Sequence, residues 1–302
     1  MAFEFARSVS QRRTVRTCGR KYDLHYGQRW RTTYTKAGWQ FGTAINCTVD
    51  HVLHQGGDTP IDGVAFFQWL WEGVQDAEDA ITYPEKKPWL WWYRHGIGLI
   101  PKVAPELLAR LRRDKPLFEG RTETFLTQPK IYYTLPGGLR EQAIPDYLGY
   151  LWVPPLSDPS TRISCRAVVD FKTSDKEYPE IAAERDEQLT SYQLAAESIG
   201  FMPDVLALCV LIHQDRNPRV QWLIAPRRSE AETAEFIASA QILDRQIRNR
   251  EFSINDRACT EFGGCEYQPL CYPSQAHRRD QELVREPRAD DVNENELIED
   301  EL

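Results

Sequence analysis

The sequence predicts an α/β fold, a mixed sheet core flanked by helices and preceded by a largely helical region. Three observations carry this. Apolar residues recur at helical spacing up to about residue 115. From Leu117 the chain changes to short β-branched and aromatic runs broken by turn residues. Strand runs then alternate with helical ones, an order that places both strand directions in one sheet.

Residues 8–30 are basic and irregularly helical. "TKAGWQFGTAINCTVDHVLHQGG" spaces its apolar residues for a helix that stops at Gly56-Gly57. "IDGVAFFQWLWEGVQDAEDAI" reads as a second amphipathic helix. "YPEKKPWLWWYRHG" and "APELLARLRRDKP" continue the helical region across residues 84–115. "TETFLTQPKIYYTL", "PGGLREQAIPDYLGYLWV" and "RISCRAVVDFKTS" read as three strands, with a turn at Pro136-Gly137-Gly138. "PEIAAERDEQLTSYQLAAESIG" reads as one helix stopped by Gly200. Two strands, "DVLALCVLIH" and "RVQWLIAP", precede a long helix opened by Ser229 with acidic residues in its first turn.

At 302 residues, with 41% hydrophobic and 27% charged side chains, the chain has the composition of an ordinary soluble globular protein. No apolar run approaches the length of a membrane span. The segment "MAFEFARSVSQRRTVRTCGRKYDL" lacks the pattern of a secretory leader, so a cytoplasmic location is expected. A net charge of -8 argues at first against a nucleic-acid partner. Asp280–Leu302, however, holds ten acids and two arginines, a net of -8, so residues 1–279 sum to zero. A neutral body can carry a basic groove. The acidic segment has few apolar residues and no aromatics, and is expected to be disordered or at most a frayed helix. The expected organisation is a helical region over 1–116, a sheet core with a cysteine trio over 117–279, and an acidic tail over 280–302.

The chemistry concentrates on a few positions. Asp170 and Lys172, at the end of "VVDFK", share one face of a strand by alternation. Asp146, in "IPDYLGY", lies on another strand. Side by side, two carboxylates repel unless a cation joins them, and oxygen donors suit Mg²⁺ or Mn²⁺. Lys172 would then orient or help deprotonate an attacking water and stabilise charge on a phosphate. Gln188 and Tyr192 share a face of the following helix. A solvated Asp-x-Lys pair at a strand edge is the ordinary alternative.

"IPDYLGY", "VVDFKTS" and "QLTSY" resemble, in order and spacing, the signature of RecB-type nucleases of the PD-(D/E)XK superfamily. The resemblance implies a restriction-endonuclease-like core, metal ligands at Asp146 and Asp170, a catalytic Lys172, and a Q-x-x-x-Y helix with Gln188 and Tyr192 on the DNA side. The family also carries a G-x-x-x-H helix whose histidine reaches the metal. Here Gly42 is followed four residues on by Asn46, so the histidine is missing. Asn46 offers an amide oxygen instead. Asp50 lies a turn further on the same face, while His51 and His54 point elsewhere on a regular helix. Glu123, in "RTETF", matches an acidic position before the first catalytic aspartate and is a further metal-ligand candidate; a surface glutamate is its alternative.

There are seven cysteines, expected to be reduced in the cytoplasm. Cys165 and Cys209 sit in apolar runs and read as core thiols. Cys259, Cys265 and Cys271 cluster in "CTEFGGCEYQPLC", and Cys18 is the candidate fourth member. An iron–sulfur cluster, a four-cysteine zinc site and scattered structural cysteines all remain open on the residues alone. The arrangement resembles that of iron–sulfur RecB-like nucleases, including CRISPR-associated and phage exonucleases, and so implies a 4Fe-4S cluster clasping the N- and C-terminal segments. Cys259 and Cys265 stand further apart than the matching pair in that group.

"KKPWLWWYRHG" sets Trp89, Trp91 and Trp92 among Lys86, Lys87, Arg94 and His95. It suits single-stranded DNA by stacking and phosphate pairing, or else forms helical core. Arg12, Arg13, Arg16, Arg20 and Lys21 form another basic run. The expected function is a metal-dependent DNA exonuclease in phage or bacterial recombination, repair or defence. The alternative is a nuclease-fold DNA-binding subunit that no longer cuts, with the acidic tail engaging a protein partner.

Overall fold

The computed structural model describes residues 6–55, 60–76, 81–112, 116–119, 122–154, 162–260 and 264–286. In chain order the elements begin α1 (Val9–Thr17), α2 (Gly19–Tyr22), β1 (Trp30–Thr32), β2 (Thr35–Lys36), α3 (Ala37–Gln55), α4 (Pro60–Asp76), β3 (Ile81–Thr82) and α5 (Trp89–Arg110). They continue with β4 (Leu111–Arg112), β5 (Leu126–Thr127), β6 (Ile131–Leu135), β7 (Leu139–Ala143), β8 (Tyr147–Val153), β9 (Ile163–Ser174), α6 (Ala182–Arg185) and α7 (Glu187–Ser198). Last come β10 (Val205–Ile212), β11 (Arg219–Pro226), α8 (Glu230–Arg248), α9 (Gln268–Cys271), α10 (Arg279–Glu282) and β12 (Leu283–Arg285). The chain divides into two compact units: Met1–Val9 with Lys36–Ser239, and Ser10–Thr35 with Ala240–Leu302.

The first unit is built on a mixed sheet ordered β11-β10-β9-β8-β4, with β5 also pairing β8. β9 and β10 run parallel, and the other pairs are antiparallel. β10, "VLALCVLI", is a continuous apolar run and is buried almost throughout. A parallel strand covered on both faces needs this composition. α3, α4 and α5 share one apolar core with Ala167, Val169 and Phe171 of β9. Phe41 of α3 packs edge-on against Phe67 and Trp71 of α4 and tilted against Trp92 of α5. Gly96 permits this, because a Cβ there would run into the Phe67 ring. Since the odd-numbered residues of β9 belong to this core, Asp170 and Lys172 face the other way, toward α7.

The three expected strands between Leu117 and Ser174 are five. The second breaks at Ile144-Pro145-Asp146: Pro145 lacks an N–H for the ladder and restricts the residue before it. Asp146 therefore precedes β8 instead of lying within a strand. β9 continues past Lys172 to Ser174, so Asp170 and Lys172 lie inside the strand. The expected single helix over 179–200 is α6 and α7, separated at Asp186, whose backbone is extended (φ -77°, ψ 114°). Ser229 opens α8 through a reciprocal pair: Ser229 N donates to Glu232 Oε2 at 2.8 Å, and Glu232 N to Ser229 Oγ at 3.3 Å.

The second unit joins residues more than 200 positions apart. β1 pairs antiparallel with β12, Trp30 opposite Arg285. Leu24, Tyr267 and Leu283 form a small core with Trp30 and Leu270, and Val15, Tyr22, Leu243 and Ile247 form another. Lys21 pairs with Glu266 at 3.0 Å, and His25 Nδ1 lies 2.6 Å from the Tyr267 hydroxyl. The segment from Asp280 onward was expected to be disordered or at most a frayed helix; α10 and β12 occupy its start, and Leu283 is buried. Residues 287–302 of the expected tail lie outside the described residues.

Candidate active site

The antiparallel register sets Tyr147 opposite Val169, so the next position brings Asp146 across from Asp170. β8 starts at Tyr147 while β9 runs on to Ser174, which leaves the last residues of β9 without a partner in β8. Asp146 takes the place of the ladder there: its Oδ2 accepts the Phe171 N–H at 2.7 Å. The backbone of β9 thus aims one carboxylate at the other.

Asp170 is buried, and Lys172 Nζ lies 2.6 Å from its Oδ2. Nζ also donates to Gln188 Oε1 at 3.1 Å, and Gln188 Nε2 donates to the Tyr192 hydroxyl at 2.5 Å. Gln188 and Tyr192 stand one turn apart on α7. Asp186 caps that helix by accepting the N–H groups of Gln188 (2.7 Å) and Leu189 (3.2 Å). Of the residues expected from sequence, Asp146, Asp170, Lys172, Gln188 and Tyr192 come together. Asp186 and the Phe171 N–H complete the group. Asp186 carried a legible signal, a cap residue before a helical run; the Phe171 amide carried none.

Burial pushes the Asp146 carboxyl up to about 7, Asp170 adds to the rise, and the Phe171 N–H and Lys172 oppose it. For Lys172, burial works downward, but Asp170, and then Asp146 and Asp186, outweigh it and hold the ammonium above its ordinary value. Tyr192 is raised by burial and by both aspartates, so its phenol stays neutral and serves as a hydrogen-bonding post. Two carboxylates and one held ammonium form a site short of positive charge. Both donors are hard oxygens, which fits Mg²⁺ or Mn²⁺. Among the described residues no group of three or more His, Cys, Asp or Glu side chains is placed to hold a metal ion. Magnesium sites often use one or two carboxylates, with water and substrate phosphate completing the shell.

Asn46 lies on α3, its Oδ1 buried without a hydrogen-bond partner. Asp50 Oδ1 lies 3.4 Å from His54 Nε2, and His51 stacks on Phe66, so both histidines are engaged away from Asn46. Glu123 is exposed in the irregular stretch before β5, off any strand. Trp92 is buried, and Trp89 and Trp91 pack against the same core, so this cluster is helical core. Arg20 and Lys21 pair with Asp23 and Glu266.

Cys18, Cys259, Cys265 and Cys271 all lie in the second unit. Burial raises the Cys271 thiol, Arg20 opposes, and Cys18 and Cys259 add to the rise. Cys265 is likewise raised by burial, with Cys259 among the smaller contributors. The thiols sense one another, yet among the described residues no clasp of metal-ligand form is seen. The terminal segments meet through strand pairing and apolar packing.

A family model described as the PD-(D/E)XK nuclease superfamily matches residues 6–272. The chain belongs to this superfamily. Asp146, Asp170 and Lys172 are the acidic pair and lysine that the sequence pattern singles out, and the geometry above brings them together. No curated protein matches the chain. Among solved structures, a Eubacterium rectale protein titled "Putative exonuclease" is 13% identical with a TM-score of 0.45, covering 99% of this chain and 95% of its own. The structure of SSO0001 is also 13% identical, with a TM-score of 0.30, covering 50% of this chain and 60% of that one. Neither likeness is close enough to bear on the PD-(D/E)XK site. No helix among the described residues is long and apolar enough to cross a membrane.

Proposed function

We propose that this PD-(D/E)XK protein is a Mg²⁺- or Mn²⁺-dependent deoxyribonuclease that hydrolyses phosphodiester bonds as an exonuclease. One observation supports the reading above the rest: Asp146, held by the Phe171 N–H, faces Asp170, which in turn holds Lys172 at 2.6 Å. Asp146 and Asp170 would hold the cation, with the Asn46 amide oxygen as a further candidate ligand. The bound cation would polarise the phosphate and activate water. Lys172, kept charged by its neighbours, stabilises the negative charge that builds on the phosphate oxygens. Gln188 fixes the ammonium, and Tyr192 fixes Gln188. The test is Mn²⁺-dependent cleavage of end-labelled single- and double-stranded DNA, with Asp170→Asn as control. Loss of label from one end supports the reading. No cleavage by the wild type overturns it.

Asn46, standing where the family carries a histidine, favours a second reading: a DNA-binding subunit that no longer cuts and acts with a protein partner. Tight DNA binding without cleavage in the same assay would select it. We further propose that Cys18, Cys259, Cys265 and Cys271 hold a 4Fe-4S cluster. Four soft thiols gathered in one unit have the right donor chemistry. Anaerobically purified protein is then brown, with about four iron and four sulfide per chain. Colourless protein with one bound zinc would replace the cluster by a zinc site.

A further inference from the structure

We propose that Trp39 is a stacking platform for one unpaired base of the nucleic acid, next to the phosphate held at Asp146 and Asp170. This rests on the nuclease reading above. Trp39 lies in the first turn of α3 with 58% of its surface exposed, although tryptophan is highly buried on average. Lys36 Nζ lies 5.5 Å from the centre of its ring. An aromatic face beside a cation is what single-stranded nucleic acid engages, a base on the ring and a phosphate on the ammonium.

The helix relates this pair to the site. Residues 39, 42, 43, 46 and 50 fall on one side of α3 by their three- and four-residue spacing. On that side Gly42 abuts β9 beyond its last residue paired with β8: a Cβ there would stand 3.3 Å from Thr173 Oγ1, which alternation puts on the face opposite Lys172 but at the strand edge that β8 leaves uncovered. The next turn carries Asn46, with its buried Oδ1 unpartnered. Trp39 precedes Gly42 by three residues, a rise of about 4.5 Å. That is comparable with the step between successive stacked bases, about 3.4 Å. Gly38 turns inward, its Cβ position 3.6 Å from the Trp92 ring, so the neighbouring Trp39 turns outward. The tryptophans of α5 are occupied in the core, whereas Trp39 is exposed at this end of α3.

A base inside a duplex has both faces covered by its neighbours, so the device favours unpaired nucleotides over duplex interior. The test uses full-length protein and a fluorescent single-stranded DNA oligonucleotide, bound by an Asp170→Asn chain to avoid turnover. Adding Trp39→Ala should weaken binding roughly tenfold or more, and Trp39→Phe should restore most of it. In the cleaving protein, Trp39→Ala should raise KM for single strands more than it lowers kcat, with an unchanged melting curve. A scan with one abasic nucleotide should find a position whose loss weakens the wild type but adds nothing to Trp39→Ala. If the wild type binds and cleaves but Trp39→Ala binds equally well, or no such position exists, the stacking role is wrong and the nuclease reading stands. If the wild type neither binds nor cleaves DNA, both fall.

Discussion

Lys172→Ala removes the cation 2.6 Å from an Asp170 carboxylate whose side chain is 2% exposed, and it releases Gln188 from Nζ. Breaking a buried ion pair from one side costs about 3–5 kcal/mol. Lys172 keeps 28% of its side chain exposed, so solvent screens part of the attraction and the low end, about 3 kcal/mol, applies. That corresponds to a fall of about 6–12 °C in Tm for a unit of this size. The loss should depend on pH. Asp146 is raised above its ordinary 3.8 to about 7, by burial first and then by Asp170, with Lys172 opposing. Without Lys172 the carboxyl rises further. A raised acid binds its proton more tightly in the folded state, so the added penalty is full above the variant's raised value, and it shrinks as pH falls from there to about 7, where the wild-type carboxyl takes up its own proton. A divalent cation would supply the missing charge, so Mn²⁺ should raise Tm more in the variant than in the wild type, while cleavage stays lost. Thermal melts at pH 5.5 and 8.5, in chelator and in Mn²⁺, measure each part. Equal melting of variant and wild type at pH 8.5 in chelator would refute the idea that these carboxylates need a cation.

Asp186→Ala removes the cap under Gln188 and should cost about 1 kcal/mol. It should also lower kcat, and a melt shift with unchanged kcat would show that the cap does not position Gln188. Asn46→His should tighten Mn²⁺ binding in a calorimetric titration, whereas unchanged affinity would remove position 46 from the metal site. Leu283→Ala empties part of the small core with Leu24 and Tyr267 and should cost about 2–4 kcal/mol. Wild-type melting of that variant would mean that β12 contributes no stability. Cys259→Ala should bleach the anaerobic protein and lower its Tm, and a retained iron spectrum would exclude this cysteine as a ligand.

The site was legible where chemistry and spacing coincide. Asp170 and Lys172 sit two apart on a buried strand, and Gln188 and Tyr192 sit four apart on a helix; each pair meets as alternation and helical pitch require. What spacing could not reveal was the frame around them. The bond from Phe171 N–H to Asp146 depends on β8 starting where β9 still continues, a matter of strand length and not of residue type. Pro145 and Asp186 did carry signals for the two breaks, a proline within an apolar strand run and a cap residue among charged neighbours that an exposed helix also carries. The tryptophan cluster of α5 left stacking and core both open, and close packing against Phe41 made it core. The exposed Trp39 sits in a segment whose apolar spacing reads simply as helix. Composition left the start of the acidic segment as disorder or a frayed helix; one buried leucine and three paired residues tie it to β1.

The split make-up of the second unit bears on how the protein is synthesised. Residues 10–35 leave the ribosome long before Ala240 and its successors. At about 5–20 residues per second, the gap lasts roughly 10–40 s. Throughout it Val15, Tyr22, Leu24 and Trp30 lack the residues they pack against in the finished molecule. The nuclease sheet, whose last strand ends at Pro226, has all its strands before those partners exist. A chain cut short before Leu283 would carry Asp146, Asp170 and Lys172 and still lack the strand that pairs with β1.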